Sequence, residues 1–587
     1  MEQEAHPPVV GVAGLGSVGE PLLRMLHSSG YEVIGIDSDF DVLTRVNERL
    51  EAARSAEPAV RPADDFTLSN DVALLGRADV VVEAAPENLA VKKRLLREID
   101  AVCKPSTVMV TTTSSLPLTH LAVASSRSAQ TLGLRLLAPP RPGGSVEVVR
   151  TAMSSAAAVR ALDELLAGLG LERTAFGTRP AAGATELVHA FLNRAVTLLD
   201  FGYADPDSID TALRLGCGLP AGPFEMLDRI GWETVRSSLQ ELHAQTGDEA
   251  FRPAALLEKS AGTASGGRAT GRGFHSYDEF GARIVPTPRS SDGDGLNGAQ
   301  HIRRVGVLGS GTMACGIAEV AVTAGLPTVL VARSRAKADR AREVVAESLV
   351  RAVRKGRTSP AQKDAALSLL RSEQDLAAFG DCDLVVEAVA EEAGLKRSVF
   401  AELGQVCPQR ALLATTTSSL SVADCAGSSG RASQVLGLHF FNPAPMMKLV
   451  ELVRTPATSE QTMATARALC ARLNKTAIVC HDRTGFIVNY LLFPYLADAI
   501  RLLDRPHADI DEIDEIDAAM ELGHGFPMGP FRLLDAIGLD VSLAIMKRLH
   551  KEFVTPDFAA PPLLQSLVAD GCLGRKSGKG FRPVVPR

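Results

Sequence analysis

Short apolar runs alternate with longer amphipathic stretches along this chain. VVGVAG at 9–14, YEVIGI at 31–36 and DVVVEA at 79–84 are each bounded by polar or turn residues. This length and pattern suit strands buried on both faces, with helical patterns between them, and so predict βαβ units and a parallel sheet. The same alternation returns in the second half of the chain, beginning near VGVLGS at 305–310. From about 180 and again from about 483 the pattern changes to long amphipathic segments such as LLFPYLADAIRLLD, which predict a closing all-helical unit in each half.

The two halves are copies of one another. Residues 11–37 match 306–332, residues 78–116 match 382–420 with TTTSSL identical in both, and IDTALRLGCGLPAGPFEMLD at 209–228 matches IDAAMELGHGFPMGPFRLLD at 516–535. Such a period is too long for a solenoid, so each copy is expected to be a complete unit. The expected organisation is a doubly wound α/β domain at 8–178, a helical domain at 179–283, a Pro/Gly/Ser/Asp-rich linker at 284–302, a second α/β domain at 303–482 and a helical domain at 483–587.

Composition narrows the classes. At 587 residues the chain has room for several domains, and a net charge of -7 offers no basic surplus for nucleic acid or an anionic membrane. There is no basic leader and no apolar run of spanning length, and the nine cysteines are scattered singly without metal-ligand spacing. The expectation is a cytoplasmic protein with reduced thiols, no metal, and no membrane or nucleic-acid partner.

Each copy opens with a glycine-rich turn between an apolar strand and a helix. In the first, Gly14, Gly16 and Gly19 are followed by Asp37 at the end of the next strand, which completes the dinucleotide fingerprint. The glycines admit a pyrophosphate to a helix N-terminus, and the acid takes the ribose 2′-hydroxyl, so NAD suits this copy if it binds nucleotide at all. In the second, Gly309, Gly311 and Ala314 form the turn, but Ala332 stands where the acid would be, followed by Arg333 and Arg335. Loss of the carboxylate beside an arginine leans this copy toward NADP rather than NAD.

GLHFFNPAPMMKLVE places His439 twelve residues before Glu451 across a proline-fixed turn. A strand, a turn and a returning strand would bring carboxylate and imidazole together. Such a pair suits alcohol oxidation: a neutral imidazole takes the hydroxyl proton, and the acid orients the ring and stabilises the imidazolium. With GSGTMACGIAEV, TTTSSLS, GLHFFNPAPMMKLVELV, GFIVNYLLFPYL, PMGPFRLLDAIGLD and GRKSGKGF, residues 303–583 resemble the 3-hydroxyacyl-CoA dehydrogenase family, 3-hydroxybutyryl-CoA dehydrogenases in particular. The resemblance implies a Rossmann-type domain followed by a helical C-terminal domain in each copy. It also implies interconversion of (3S)-3-hydroxyacyl-CoA and 3-oxoacyl-CoA with a nicotinamide cofactor. It makes His439 the acid/base and Glu451 its partner, with Ser418 and Asn489 positioning substrate and Asn442 lining the site. Glu391 and Lys396 fall near the nicotinamide, and Ser348 and Lys355 on the CoA moiety. Tyr490 and Thr484 depart from the family's usual Arg and Pro.

The first copy has Arg135 where the second has His439, Ala138 for Asn442 and Thr185 for Asn489, while Glu147 matches Glu451. Arginine stays protonated and cannot act as a base near neutrality. The first copy is therefore expected to be a structural half of an intrachain pseudo-dimer paired through helical domains. A regulatory NAD site, or a site where Arg135 meets a different anionic substrate, are the alternatives. For the whole chain the rival readings are a nucleotide- or acyl-CoA-binding sensor and a tailoring dehydrogenase for an unusual hydroxyacyl thioester. Further homo-oligomerisation is left open.

Overall fold

The computed structural model describes residues 8–56, 66–113, 116, 118–136, 142–151, 153–174, 184–259, 266–268, 271–278, 282–284, 298–503 and 511–582. Of the expected linker, residues 285–297 lie outside this set, as does Ala138.

Each copy contains an eight-stranded sheet with the same topology, the first three strands running outward in reverse order and the remaining five following in sequence. In the second copy the spatial order is Leu370–Glu373, Thr328–Val331, Val305–Leu308, Leu384–Glu387, Leu412–Thr415, Val435–Phe440, Leu449–Arg454 and Thr476–His481. All neighbours pair in parallel except Val435–Phe440 with Leu449–Arg454, where the chain turns back on itself. The apolar runs are strands because both faces are covered: VGVL at Val305–Leu308 and LVVE at Leu384–Glu387 are buried at every position. Strand order reverses between Val305–Leu308 and Leu384–Glu387, the place where open α/β sheets hold ligands.

Helices follow each sheet. Ala184–Asp200, Pro206–Cys217, Pro223–Ile230 and Trp232–Thr246 close the first copy, and Val488–Leu503, Asp511–Ala518, Pro530–Ile537 and Leu539–Phe553 are their counterparts in the second. The shared ID…GPF motif is structural. Buried Asp210 accepts the N–H groups of Phe224 and Glu225, and buried Asp517 those of Phe531 and Arg532, so each carboxylate caps the start of the GPF helix that follows its own.

The two helical sets share a core. Leu187, Phe191, Leu198 and Phe224 belong to the same buried apolar cluster as Leu491, Tyr495, Ile500 and Phe531, and this cluster runs on into one face of the second sheet. Where the long helices Ala184–Asp200 and Val488–Leu503 meet, Phe191 packs edge-on to Tyr495. Beside it, buried Arg194 reaches Asp498 at 2.6 Å and Asp557 at 3.3 Å. All nine cysteines are free, and among the described residues no helix is long and apolar enough to cross a membrane.

Candidate active site

The antiparallel pairing sets His439 directly opposite Glu451. His439 Nδ1 lies 2.6 Å from Glu451 Oε2. The other carboxylate oxygen accepts two backbone N–H groups, from Ile487 and Val488, at 3.1 Å each. Those donors open the helix Val488–Leu503, so the acid sits where the helix dipole is positive and has no exposed surface. With the acid ionised, His439 Nδ1 must donate, which leaves Nε2 as a lone pair able to take a proton. Phe441 and Phe486 pack against the imidazole, with ring centroids 4.7 and 5.2 Å away. Phe486 holds a left-handed φ of 48°. That conformation is uncommon for a bulky residue and is seen where the surroundings fix it, often at a functional site.

Glu391 sits at the head of a second network. Its Oε1 accepts Thr417 Oγ1 at 2.6 Å and the N–H groups of Ser418 and Ser419, while Arg548 lies 3.7 Å away. Burial pushes the Glu391 carboxyl up, but the Thr417 hydroxyl, Lys396, the Ser418 N–H and Arg548 outweigh it and hold the group below its ordinary value. Lys396 is fully buried, bonded to both oxygens of Glu387 at 2.7 and 2.9 Å and 3.5 Å from Glu391. It therefore positions carboxylates and is not itself a surface for ligand. Asn489 follows Val488 in the first turn of its helix, nine-tenths buried.

The glycine-rich turn of the second copy fits a dinucleotide. A Cβ at Gly311, the residue that starts the helix Thr312–Thr323, would meet no protein atom within 4 Å. The space above that helix end is open to a pyrophosphate. Ala332 is buried, and beyond it Arg335 is committed to Asp339 at 3.0 Å and to the Ser372 carbonyl, with Glu373 at 3.7 Å. Arg333 is exposed and borders a hollow of about 530 Å³ with Asp375 and Glu402.

A cavity of about 1190 Å³ runs from Ser310 and Gly311 past Ser348 to Asn442. Ser334 and Ser359 cap the helices Arg335–Arg354 and Pro360–Ser368 that build one wall. Lys355, at the end of the first of these, is exposed and outside the lining, whereas Arg351, Arg357 and Lys448 are in it. The positive charge in the lining itself includes that of Arg351, Arg357 and Lys448.

In the first copy Arg135 occupies the position opposite Glu147, and Arg135 Nη1 lies 3.1 and 3.0 Å from the two carboxylate oxygens. Both residues are buried. Burial pushes the Glu147 carboxyl up to about 7 against the pull of Arg135, and Glu186 and Glu515 add to the rise. The outer network survives: Lys92 reaches both oxygens of Glu83 at 3.0 and 3.1 Å, and Thr113 donates to Glu87 at 2.7 Å. A Cβ at Gly16 would meet nothing, while at Gly19 it would fall 1.8 Å from the Gly14 carbonyl oxygen, so this turn closes more tightly than the one holding Ala314. Asp37 accepts the N–H groups of Leu15 and Asp39, which aims its carboxylate at the turn. Thr185 contributes its carbonyl oxygen to His189 Nδ1 at 2.7 Å.

Backbone N–H groups of Ile487 and Val488, and Arg548 from a distant helix, were not among the expected site residues. The GFIVN motif was the available signal for the first two. Arg548 carried none.

A family model described as the NAD-binding domain of 3-hydroxyacyl-CoA dehydrogenase matches residues 9–175 and 304–483, and one described as its C-terminal domain matches 184–277 and 485–583. A 3-hydroxybutyryl-CoA dehydrogenase of Mycobacterium tuberculosis is 42% identical over 282 residues, 48% of this chain and 98% of that protein. The mouse mitochondrial hydroxyacyl-coenzyme A dehydrogenase is 41% identical over 287 residues, 48% of this chain and 90% of that one. A solved 3-hydroxybutyryl-CoA dehydrogenase from Escherichia coli K12 is similar over 96% of this chain and 99% of its own, with 20% identity and a TM-score of 0.59. That last likeness shows the fold alone, and it extends through both copies.

Proposed function

The chain belongs to the 3-hydroxyacyl-CoA dehydrogenase family, present twice over, and from that premise we propose that it interconverts (3S)-3-hydroxyacyl-CoA, 3-hydroxybutyryl-CoA above all, and 3-oxoacyl-CoA at the second copy. The observation that carries this reading is the His439 to Glu451 contact, made at 2.6 Å in a buried cross-strand pair. Bound at the Gly309 to Ala314 turn, a nicotinamide dinucleotide supplies or accepts the hydride.

In oxidation, His439 Nε2 takes the substrate hydroxyl proton, and in reduction it returns one to the carbonyl oxygen. Glu451 holds the imidazole by Nδ1 and offsets the charge it gains, and the Ile487 and Val488 N–H groups fix the acid in place. Ser418 and Asn489 position the reacting oxygen. The cavity past Ser348 takes the CoA moiety, its phosphates facing Arg351, Arg357 and Lys448. Exposed Arg333 beside Ala332, with no carboxylate to repel a 2′-phosphate at that position, supports NADP as the preferred cofactor. The first copy serves as the structural partner of an intrachain pseudo-dimer, a reading supported by the shared helical core.

Acetoacetyl-CoA offered with NADH and NADPH side by side tests this. Consumption of reduced cofactor is expected, faster with NADPH. Tight binding with no consumption makes the chain a sensor instead.

A further inference from the structure

The bend between the strand Thr476–His481 and the helix Val488–Leu503 does unusual work for its size. Its far end supplies both N–H groups to Glu451, and Phe486 packs against His439. Gly485 and Phe486 are consecutively left-handed, at φ 83° and 48°. A turn of that shape holds its geometry only if both ends are fixed.

One end is fixed from the other copy. Tyr203, buried in the first copy between the helices Ala184–Asp200 and Pro206–Cys217, donates its hydroxyl to the His481 carbonyl oxygen at 2.7 Å. The next residue but one, Arg483, lies over Tyr490 at 4.5 Å and Phe553 at 4.4 Å on its own side, and 5.6 Å from the Tyr203 ring on the other. The helix Pro206–Cys217 presses on the same point. A Cβ at Gly216 would come within 3.0 Å of Leu449, on the strand of Glu451, and within 3.0 Å of Val488, its N–H donor.

We propose that Tyr203 and Gly216 of the first copy are positioning residues for the second copy's acid/base pair, holding the 481–488 bend and so the Glu451 carboxylate in register with His439. The first copy then sets the catalytic geometry of the second in addition to pairing with it. This rests on the dehydrogenase reading for its kinetic consequence but not for its structural one.

Tyr203→Phe removes the hydroxyl and keeps the ring. Amide hydrogen exchange, followed by mass spectrometry on the full chain, is expected to speed up about fivefold or more at Ile487 and Val488, with the Gly309 to Ala314 turn unchanged. With acetoacetyl-CoA and NADPH, kcat is expected to fall about tenfold while both KM values stay within about twofold. Gly216→Ala improves helix propensity, so the same signature there cannot come from a weakened helix. A general rise in exchange with a lowered melting midpoint in both variants would reduce the contact to ordinary packing and overturn the proposal. So would parent-like exchange at Ile487 and Val488. If the parent consumes no reduced cofactor, the dehydrogenase reading fails, and the exchange measurement still decides the clamp.

Discussion

At the same point of two sheets, a strand residue faces a glutamate across an antiparallel pair: His439 and Glu451 in one copy, Arg135 and Glu147 in the other. The surroundings of the two acids differ more than the substitution itself. Glu451 takes two backbone N–H groups from a helix end in addition to its imidazole. Glu147 faces Glu186 and, from the second copy, Glu515, and its carboxyl rises to about 7. One acid is fixed by two main-chain donors beside a group that can move a proton. The other sits beside a group that cannot, and it is the acid that titrates. The lesson is that a reacting centre can be retired while its frame is kept, since among the described residues Lys92 with Glu83 and Thr113 with Glu87 repeat the contacts of Lys396 with Glu387 and Thr417 with Glu391.

The sharpest way to break this contrast is His439→Gln, which should lower kcat by about 10²–10⁴-fold with the fold intact. A smaller loss, or an equal one from Arg135→Ala, would move the chemistry elsewhere. Glu451→Gln keeps the shape but not the charge and should cost about 10–100-fold in kcat, read in the same assay. Arg333→Ala should reduce the kcat/KM preference for NADPH over NADH by about 5–10-fold, about 1 kcal/mol, and an unchanged ratio would remove the NADP reading.

The first-copy pair should leave activity within about twofold when changed, and its effect should appear in stability. Glu147 has a folded value near 7 against an ordinary 4.5. Its protonated form is therefore favoured in the fold, and the stability it gives is complete below about pH 4.5 and lost as pH rises through about 7. The loss is of the order of 3 kcal/mol. Replacing both partners, Arg135→Met with Glu147→Leu, should flatten that dependence in thermal melts at pH 5 and 8 without loss of stability at pH 8. A pH-dependent melt that survives the double change would assign the dependence to other groups.

Much of this was legible in the chain because it is local or periodic. The duplication, the glycine turns and the His439 to Glu451 spacing are patterns within short windows, and cross-strand pairing converts that spacing into contact. What was not legible depends on backbone or on distance. The donors to Glu451 are main-chain N–H groups, signalled only by the GFIVN motif that contains them. Arg548 reaches Glu391 from a helix 157 residues on. The resemblance put Lys355 on the CoA moiety; it lies exposed just past the helix end at Arg354, and Arg351 a turn earlier and Arg357 beyond the end line the cavity.

The contact of Arg194 with Asp498 joins residues 304 apart in sequence. At a synthesis rate of roughly 5–20 residues per second, the first partner leaves the ribosome about 15–60 s before the second exists. For that interval the helix Ala184–Asp200 carries an arginine and an apolar face made for a surface not yet translated. A second nascent chain at the same stage offers the same face. The tandem arrangement therefore converts what would be an encounter between molecules into a matter of timing along one, and crowded polysomes are where mispaired products should be sought.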